Sequence, residues 1–408
     1  MFFKIKRLIR NLILIFNFLV VLLIEIPKCL YLVFLNNRKK FFYQEEGGFG
    51  HLIATPMFLS NKYENDWTLL FSFQKLRYHN SNIKKVFPNR FIFINNGILS
   101  NYFGVITSKF YCELSIKIIV FLSKIFFKID IVKYIDHLFL LKKNEINTSS
   151  HYFRGYESKC WKELVSQSSR FVLNNHLKKE IDEFDLNFIQ KHSGKVLFPI
   201  RTKGSNKNHK DLSNTLRATR NINDFKEILQ DLVARNYLVF LSGDKIEYPQ
   251  WVNNSSNIIT SNKTDYDKDY FNLMSGISAD IVIGGPSGAT MFTMLGKKKN
   301  LFLESWDFGV AYNKTILSHP KIKVSGNNEL KNILTDRYIV TNESFYKSES
   351  IKPLSKKELF DIYYEFIENI NDENYGIDPK IFGINDGWLI DSKSKISNKW
   401  LELIQIKK

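Results

Sequence analysis

The sequence predicts an α/β protein built on parallel, doubly wound sheets, and three observations predict it. From Glu45 onward, short apolar runs alternate with helical patterns. Between Gly194 and Ser305 this alternation becomes dense, and strand-helix alternation of that density implies the crossovers of a parallel, doubly wound sheet. The chain has 408 residues, enough for two core-forming domains and an appendage.

The chain opens with Lys4, Lys6, Arg7 and Arg10, followed by an apolar run from Leu12 to Ile24 broken by Asn17. Glu25, Pro27 and Lys28 interrupt it, Cys29 to Leu35 resumes it, and Arg38, Lys39 and Lys40 close it. No small-residue cleavage site follows, which excludes a secretory signal. A crossing helix needs about 20 apolar residues, and neither piece is that long. Leu12 to Leu35 together would suffice with Glu25 and Lys28 inside, at about 2.5–3.5 kcal/mol each near the bilayer centre. Cations on both flanks favour an in-plane or re-entrant helix kinked near Pro27. A true span and a buried domain helix are the alternatives. Residues 1–40 are expected to form a membrane-associating segment that can be removed without unfolding the rest.

In the first half, "WTLLFSF" and "RFIFINN" read as strands. The stretch Ser115 to Lys143 is basic and apolar, with Lys117, Lys124, Lys128 and Lys133 close to one helical face. It is a domain helix with solvated lysines or a second membrane contact. Tyr156 to His192 reads as a polar, helical bridge. In the second half, "GKVLFPIR", "YLVFLSGD", "NIITS", "DIVIGG" and "KNLFLES" are strands. "DFKEILQDLVARN", "DYFNLMSGISA" and "PSGATMFTMLGK" are helices, the last with Pro in its first turn. From Ser355 to the end the pattern is helical and charged.

The net charge of +17 points to an anionic partner such as membrane lipid or a phosphorylated ligand, although an AT-rich genome also inflates Lys. The basic residues are dispersed and form no recognised nucleic-acid module, so no nucleic acid is expected. Cys29, Cys112 and Cys160 lack ligand spacing, which excludes a disulfide framework and a zinc site and fits a reducing compartment. Motifs for dinucleotide, P-loop and H-E-x-x-H zinc chemistry are missing.

Five constellations remain. In "IVIGGPSGATMF" a strand ends at Gly284-Gly285 and a helix begins at Pro286-Ser287. Exposed N–H groups, the Ser287 hydroxyl and close approach at Gly288 make an anion site, to which Gly285 and Ala289 also belong, or Ser287 caps a tight turn. In "FPIRTKG", Arg201 and Lys203 stand at the carboxyl end of a strand, where a guanidinium can grip a diphosphate in bidentate fashion. Arg217 and Arg220 follow in the same loop. After "YLVFLSGD", Ser242 and Gly243 shape a turn whose Asp244 caps it or meets a sugar hydroxyl. Asp265-Tyr266-Asp267 opens a helix, where acids stabilise the N-terminus, so a metal role is rejected. Finally, "EEGGFGHLIATPMFLS" carries Gly47, Gly48 and Gly50 before His51, which is a general base or a polar helix-start residue.

Together these segments resemble bacterial GT-B-fold glycosyltransferases of surface-polysaccharide gene clusters. The likeness rests on the G-x-G-H loop, on "RNINDFKEILQDLVARNYLVFLSGD" and on "ADIVIGGPSGATMFTMLGKKKNLFLES". It is good over Pro199 to Ser305 and moderate over Glu45 to Ser60. It implies two Rossmann-like domains facing a cleft: an acceptor-side domain with linker over 41–190 and a donor-side domain over 191–345, followed by C-terminal helices over 346–408. By the resemblance Arg201, Ser287 and Gly288 meet the donor diphosphate, and Gly48, Gly50 and His51 line the cleft. Glu304 is a candidate acid on the sugar ring. GT-B enzymes generally need no metal, so no cofactor is implied and the nucleotide-sugar is substrate. Lys297-Lys298-Lys299 stands where many members have Pro after the Gly. The implied activity is sugar transfer to a lipid-linked or growing oligosaccharide acceptor at the cytoplasmic face of the plasma membrane. The rivals are a CDP-polyol phosphotransferase of teichoic-acid type and a non-catalytic glycan-binding partner.

Overall fold

The computed structural model describes residues 2–36, 40–44, 55–56, 59–60, 63, 66–74, 80–133, 175–188, 192–202, 219–244, 246–285, 299–305, 314–324, 326–335, 351–385 and 388–406. The chain divides into two compact units, Met1–Leu140 and Leu141–Lys408.

The first unit holds β1 (Lys40–Gln44), β2 (Trp67–Phe73), β3 (Phe91–Asn95) and β4 (Ile131–Lys133). They form one parallel sheet in the order β3-β2-β1-β4. The expected strands β2 and β3 are present. β1 hides inside the basic flank of the N-terminal segment, and β4 inside the stretch read as continuous helix from Ser115 to Lys143. That helix ends earlier, because Lys128 takes the left-handed conformation, φ 55°, and closes it.

Helices α1 (Phe2–Val20) and α2 (Ile26–Leu35) are joined by a π segment, Val21–Glu25. α3 spans Ile98–Tyr102, and α4 spans Lys109–Phe127 with Ser108 capping its first turn. The break expected near Pro27 is this π segment rather than a sharp bend. Its extra residue matters. Leu14, Asn17 and Val21 face inward at α-helical spacing, and the next inward residues are Glu25, Ile26, Cys29 and Val33. A five-residue step from Val21 to Ile26 exceeds one α-turn, and the wider π turn absorbs it.

Residues 1–40 therefore do not form a separable appendage. Val21, Ile26, Cys29 and Val33 share one core with Leu70, Ile92 and Ile94 of the sheet and Ile116 and Ile119 of α4. The polar residues that interrupt the apolar run turn toward the domain. Asn17 is buried, donates to Asn96 O at 2.9 Å, and accepts from Leu99 N and Ser100 N at 2.9 and 3.1 Å. It thus satisfies the otherwise orphaned first N–H groups of α3. Glu25 accepts from Asn95 N at 3.2 Å and from Lys28 Nζ at 3.0 Å.

The second unit holds β5 (Gly194–Ile200), β6 (Tyr237–Gly243), β7 (Ile258–Thr260), β8 (Ile281–Gly284), β9 (Lys299–Phe302), β10 (Thr315–Leu317), β11 (Lys321–Val324), β12 (Ile351–Lys352), β13 (Lys395–Ile396) and β14 (Gln405–Ile406). Among the described residues its α-helices longer than one turn are α5 (Asn175–Leu186), α6 (Lys226–Ala234), α7 (Lys268–Ser278), α8 (Asn327–Thr335), α9 (Lys356–Glu368) and α10 (Asn398–Leu403). Seven strands form a parallel sheet in the order β13-β10-β9-β8-β5-β6-β7, and β12-β11-β14 form a small second sheet. Counted from β5, the six strands β7-β6-β5-β8-β9-β10 run in the Rossmann order 3-2-1-4-5-6. The chain is thus mixed α/β with two Rossmann-like parallel sheets.

The C-terminal stretch expected to be helical is so at α9 and α10, but it also supplies β13 and β14. α9 starts with a full capping box: Ser355 Oγ accepts from Glu358 N, and Glu358 accepts from Ser355 N. It is fixed to α6 by Tyr363 Oη, which donates to Asp231 Oδ2 at 2.7 Å, and by Arg235, which bridges Asp231 and Glu368. Trp400 of α10 is fully buried and donates to Pro320 O at 3.2 Å.

Candidate functional site

In an open α/β sheet, ligands bind beyond the carboxyl ends of the strands where the strand order reverses. In the second unit that point lies between β5 and β8. β5 ends at Ile200 and delivers Arg201; β8 ends at Gly284 and delivers Gly285. A Cβ on Gly284 would lie 2.9 Å from Pro199 Cδ, so the two strand ends pass closely. Gly284 has φ 155° and Gly285 has open space where a side chain would begin. The arrangement leaves a guanidinium-bearing residue beside a bare backbone at the reversal point.

Arg201 is half-buried and its backbone is pinned. Its N–H donates to Thr219 Oγ1 at 2.8 Å, and its carbonyl accepts from Thr219 N at 2.7 Å. The chain therefore leaves β5 at Thr202 and returns to the same edge at Thr219, bringing Arg220 with it. Arg220 Nη1 donates to Glu304 Oε2 at 3.0 Å and to Leu354 O at 2.6 Å, and its Nε lies 3.4 Å from Asp224. Glu304, just after β9, has φ 50° and is 6% exposed. Its second oxygen accepts from Leu354 N at 2.6 Å. Burial raises its pKa above the usual carboxylate value, with Arg220 pulling the other way. Both oxygens of Glu304 are thus engaged within the fold, which suits it to holding Arg220 and the Leu354 segment.

Ser242 and Gly243 end β6 beside β5, with Gly243 in register with Ile200. Asn272 of α7 clamps them. Its Oδ1 accepts from Ser242 Oγ at 2.9 Å and Gly243 N at 2.8 Å, and its Nδ2 donates to Gly243 O at 3.1 Å. Gly243 has φ 128°, and a Cβ there would be driven into the Ile200 carbonyl oxygen, so this edge needs glycine. Asp244 accepts from Thr202 N at 2.7 Å and Thr202 Oγ1 at 2.8 Å. That is the turn-capping alternative, made across two strand ends. Asp267 likewise caps α7, accepting from Asp269 N and Tyr270 N.

Beyond β10, Ser318 Oγ accepts from Glu304 N at 3.1 Å and donates to Phe302 O at 2.9 Å. His319 is fully buried, and its Nδ1 donates to Ser305 O at 2.7 Å, which assigns the neutral tautomer with the proton on Nδ1. Burial lowers its pKa to about 4.

Lys203, Ser287, Gly288, Ala289, Gly48, Gly50 and His51 lie outside the described residues. The structure brings together Arg201, Ser242, Gly243 and Gly285 on adjoining strand ends. Reading the sequence alone missed Thr219, Asn272 and the Arg220–Glu304 pair, whose partners lie 18, 29 and 84 residues away, beyond any local signal. Among the described residues, no group of three His, Cys, Asp or Glu side chains is placed to hold a metal ion.

No protein-family model matches the sequence, and no curated protein matches it. Among solved structures, that of the wall teichoic acid polymerase TagF aligns with 90% of this chain and 99% of its own, at 13% identity and a TM-score of 0.29. So low a score leaves the fold to be argued from strand order and register.

Proposed function

We propose that the chain is a glycosyltransferase that moves a sugar from a nucleotide-sugar donor to a lipid-linked or growing glycan acceptor at the cytoplasmic face of the membrane. One observation carries the reading: Arg201 and Gly285 leave adjoining strands at the reversal point of a sheet in Rossmann order. A diphosphate there would meet a bidentate cation and approachable backbone. Such groups stabilise the charge that develops on a departing nucleoside diphosphate. In this reading Lys203, Ser287, Gly288 and Ala289 complete the donor site, while Ser242 and Gly243 shape its edge. His51, with Gly48 and Gly50, belongs to the acceptor side as candidate base. Glu304 acts through Arg220 rather than on the sugar.

Binding of a panel of nucleotide-sugars and CDP-polyols to the full-length chain, read by calorimetry, tests this. A nucleotide-sugar is expected to bind, and Arg201→Ala to weaken it about tenfold or more, since a charge-assisted bidentate contact is worth roughly 1.5–3 kcal/mol. Selective binding of a CDP-polyol would move the activity to polyol-phosphate transfer. Binding of neither class would leave the transferase reading without support.

A further inference from the structure

The first unit carries an exposed apolar surface that the donor site does not explain. Two helical rods lie side by side over one face of its sheet. Phe18 meets Tyr111 at 5.0 Å and Phe34 meets Phe127 at 5.1 Å, ring centroid to centroid. Each pair advances the same distance along its helix, so α1–α2 and α4 run parallel, and both press their inner faces into the same core.

Their outer faces are greasy. On the first rod Leu8, Leu12, Phe16 and Leu19 continue as Leu23, which is 77% exposed. The π segment keeps this stripe opposite the domain along the rod. On α4, Phe110, Phe121 and Ile125 are exposed, Phe121 at 63%. Tyr102 and Phe103, which close α3 just before α4, extend the same apolar character. A stripe of this size is unusual on a water-facing surface. Exposed cations accompany it: Arg7 and Arg10 at the start of the first rod, and Lys117 and Lys124 among the aromatics of α4, Lys124 lying 3.4 Å from Asp130. Long cationic stems that lie along apolar surface and lift their heads to phosphates are the mark of an interfacial helix.

We propose that this two-helix face docks the first unit in the plane of an anionic lipid surface, with α4 an equal partner of the N-terminal rod. Ile5–Leu35 is long and apolar enough to cross a membrane, but crossing would strip Asn17 and Glu25 of their partners on Asn95, Asn96, Leu99 and Ser100. Lying in-plane keeps those bonds and immerses only the outer stripe. The cations select anionic headgroups over neutral ones. The inference is independent of the donor reading, because no residue of the second unit enters it.

The test is flotation of the purified full-length chain with phosphatidylcholine vesicles, with and without phosphatidylglycerol, at low and high salt. The wild-type chain is expected to float with anionic vesicles and much less with neutral ones. Phe121→Glu with Ile125→Glu, both at exposed positions, is expected to reduce binding about tenfold or more with an unchanged thermal melt. Lys117→Gln with Lys124→Gln, which disturbs no packing, is expected to erase most of the preference for anionic vesicles, and serves if the acidic variant folds poorly. The proposal is overturned if both α4 variants float like wild type, since attachment then belongs to the N-terminal rod alone. It is equally overturned if the wild-type chain ignores vesicles and the acidic variant converts a dimer to a monomer, since the face then holds a second copy.

Discussion

The two units share a strand order and differ in what lies outside it. Both sheets are parallel and both read 3-2-1-4 from their first strand. At the carboxyl edge of the first sheet, beside β2 and β3, the polar side chains are sealed into one another. Asn96 donates to Ser72 Oγ at 2.9 Å and accepts from Ser115 Oγ at 2.7 Å, while Gln74 accepts from Thr107 N at 3.0 Å. At the carboxyl edge of the second sheet, half-buried cations and a bare glycine emerge at the reversal point. The first unit turns greasy helices outward; the second has its strands clamped by Asn272 and Arg220. One topology thus carries two different sets of side chains at its margins.

The comparison breaks most completely if the N-terminal rod is dispensable to the first unit. Removing residues 1–36 takes away Val21, Ile26, Cys29 and Val33 and uncovers β3. The expected outcome is loss of the first unit's cooperative melt and rapid proteolysis of that unit alone. A truncated chain that melts like the full one would return the rod to the status of an appendage.

A smaller effect is expected at the clamp in the second unit. Gly243→Ala puts a Cβ against the Ile200 carbonyl at positive φ and should cost about 3 kcal/mol in urea titration. An unchanged midpoint would show that β5 and β6 can part at this edge. In the first unit, Asn17→Leu leaves Leu99 N, Ser100 N and Asn96 O with one partner fewer and should destabilise by about 2 kcal/mol. A neutral result would mean that these groups find water instead.

The smallest expected effect sharpens the electrostatic side. Arg220→Ala leaves Glu304 buried with Leu354 N as its remaining hydrogen-bond donor among the described residues, at a cost of about 1–2 kcal/mol, discounted because Arg220 is partly exposed. The sign with pH follows from burial. The folded-state pKa of Glu304 is raised, so its ionisation opposes folding as pH climbs through the carboxylate range. Removing Arg220 raises it further. The variant's deficit should therefore be larger near neutrality than in mild acid, and a deficit that shrinks with rising pH would contradict the pairing.

Much of the architecture was legible because apolar runs bounded by turns are strong signals. β2, β3, β5, β6 and β8 stand where the sequence puts them. β1 and β4 were hidden because their few apolar residues adjoin lysines that read as a flank and as a helix face. Asn17 and Glu25 misled for a physical reason: a polar residue in a greasy helix looks like an interruption until its partners, some 70 to 83 residues on, are known. At the site, Arg201 and Gly285 were legible from their place after strands. Thr219 and Asn272 were not, since the bonds that make them matter span connections that no local pattern encodes.

The π segment has one more consequence. It is a phase adjuster: it lets one rod keep a single inward bearing although its inward residues are one position out of step. Were the same residues wound as an ordinary α-turn, the downstream part of the rod would turn by about 100°, the rotation per residue of an α-helix, and Cys29 and Val33 would swing out of the core. Taking one residue out of the segment would instead leave seven residues, about two α-turns, between Val21 and Cys29 and keep that bearing. In this short stretch, then, a single-residue deletion should be forgiven more readily than a single-residue insertion, because length rather than identity sets the bearing of everything after Glu25.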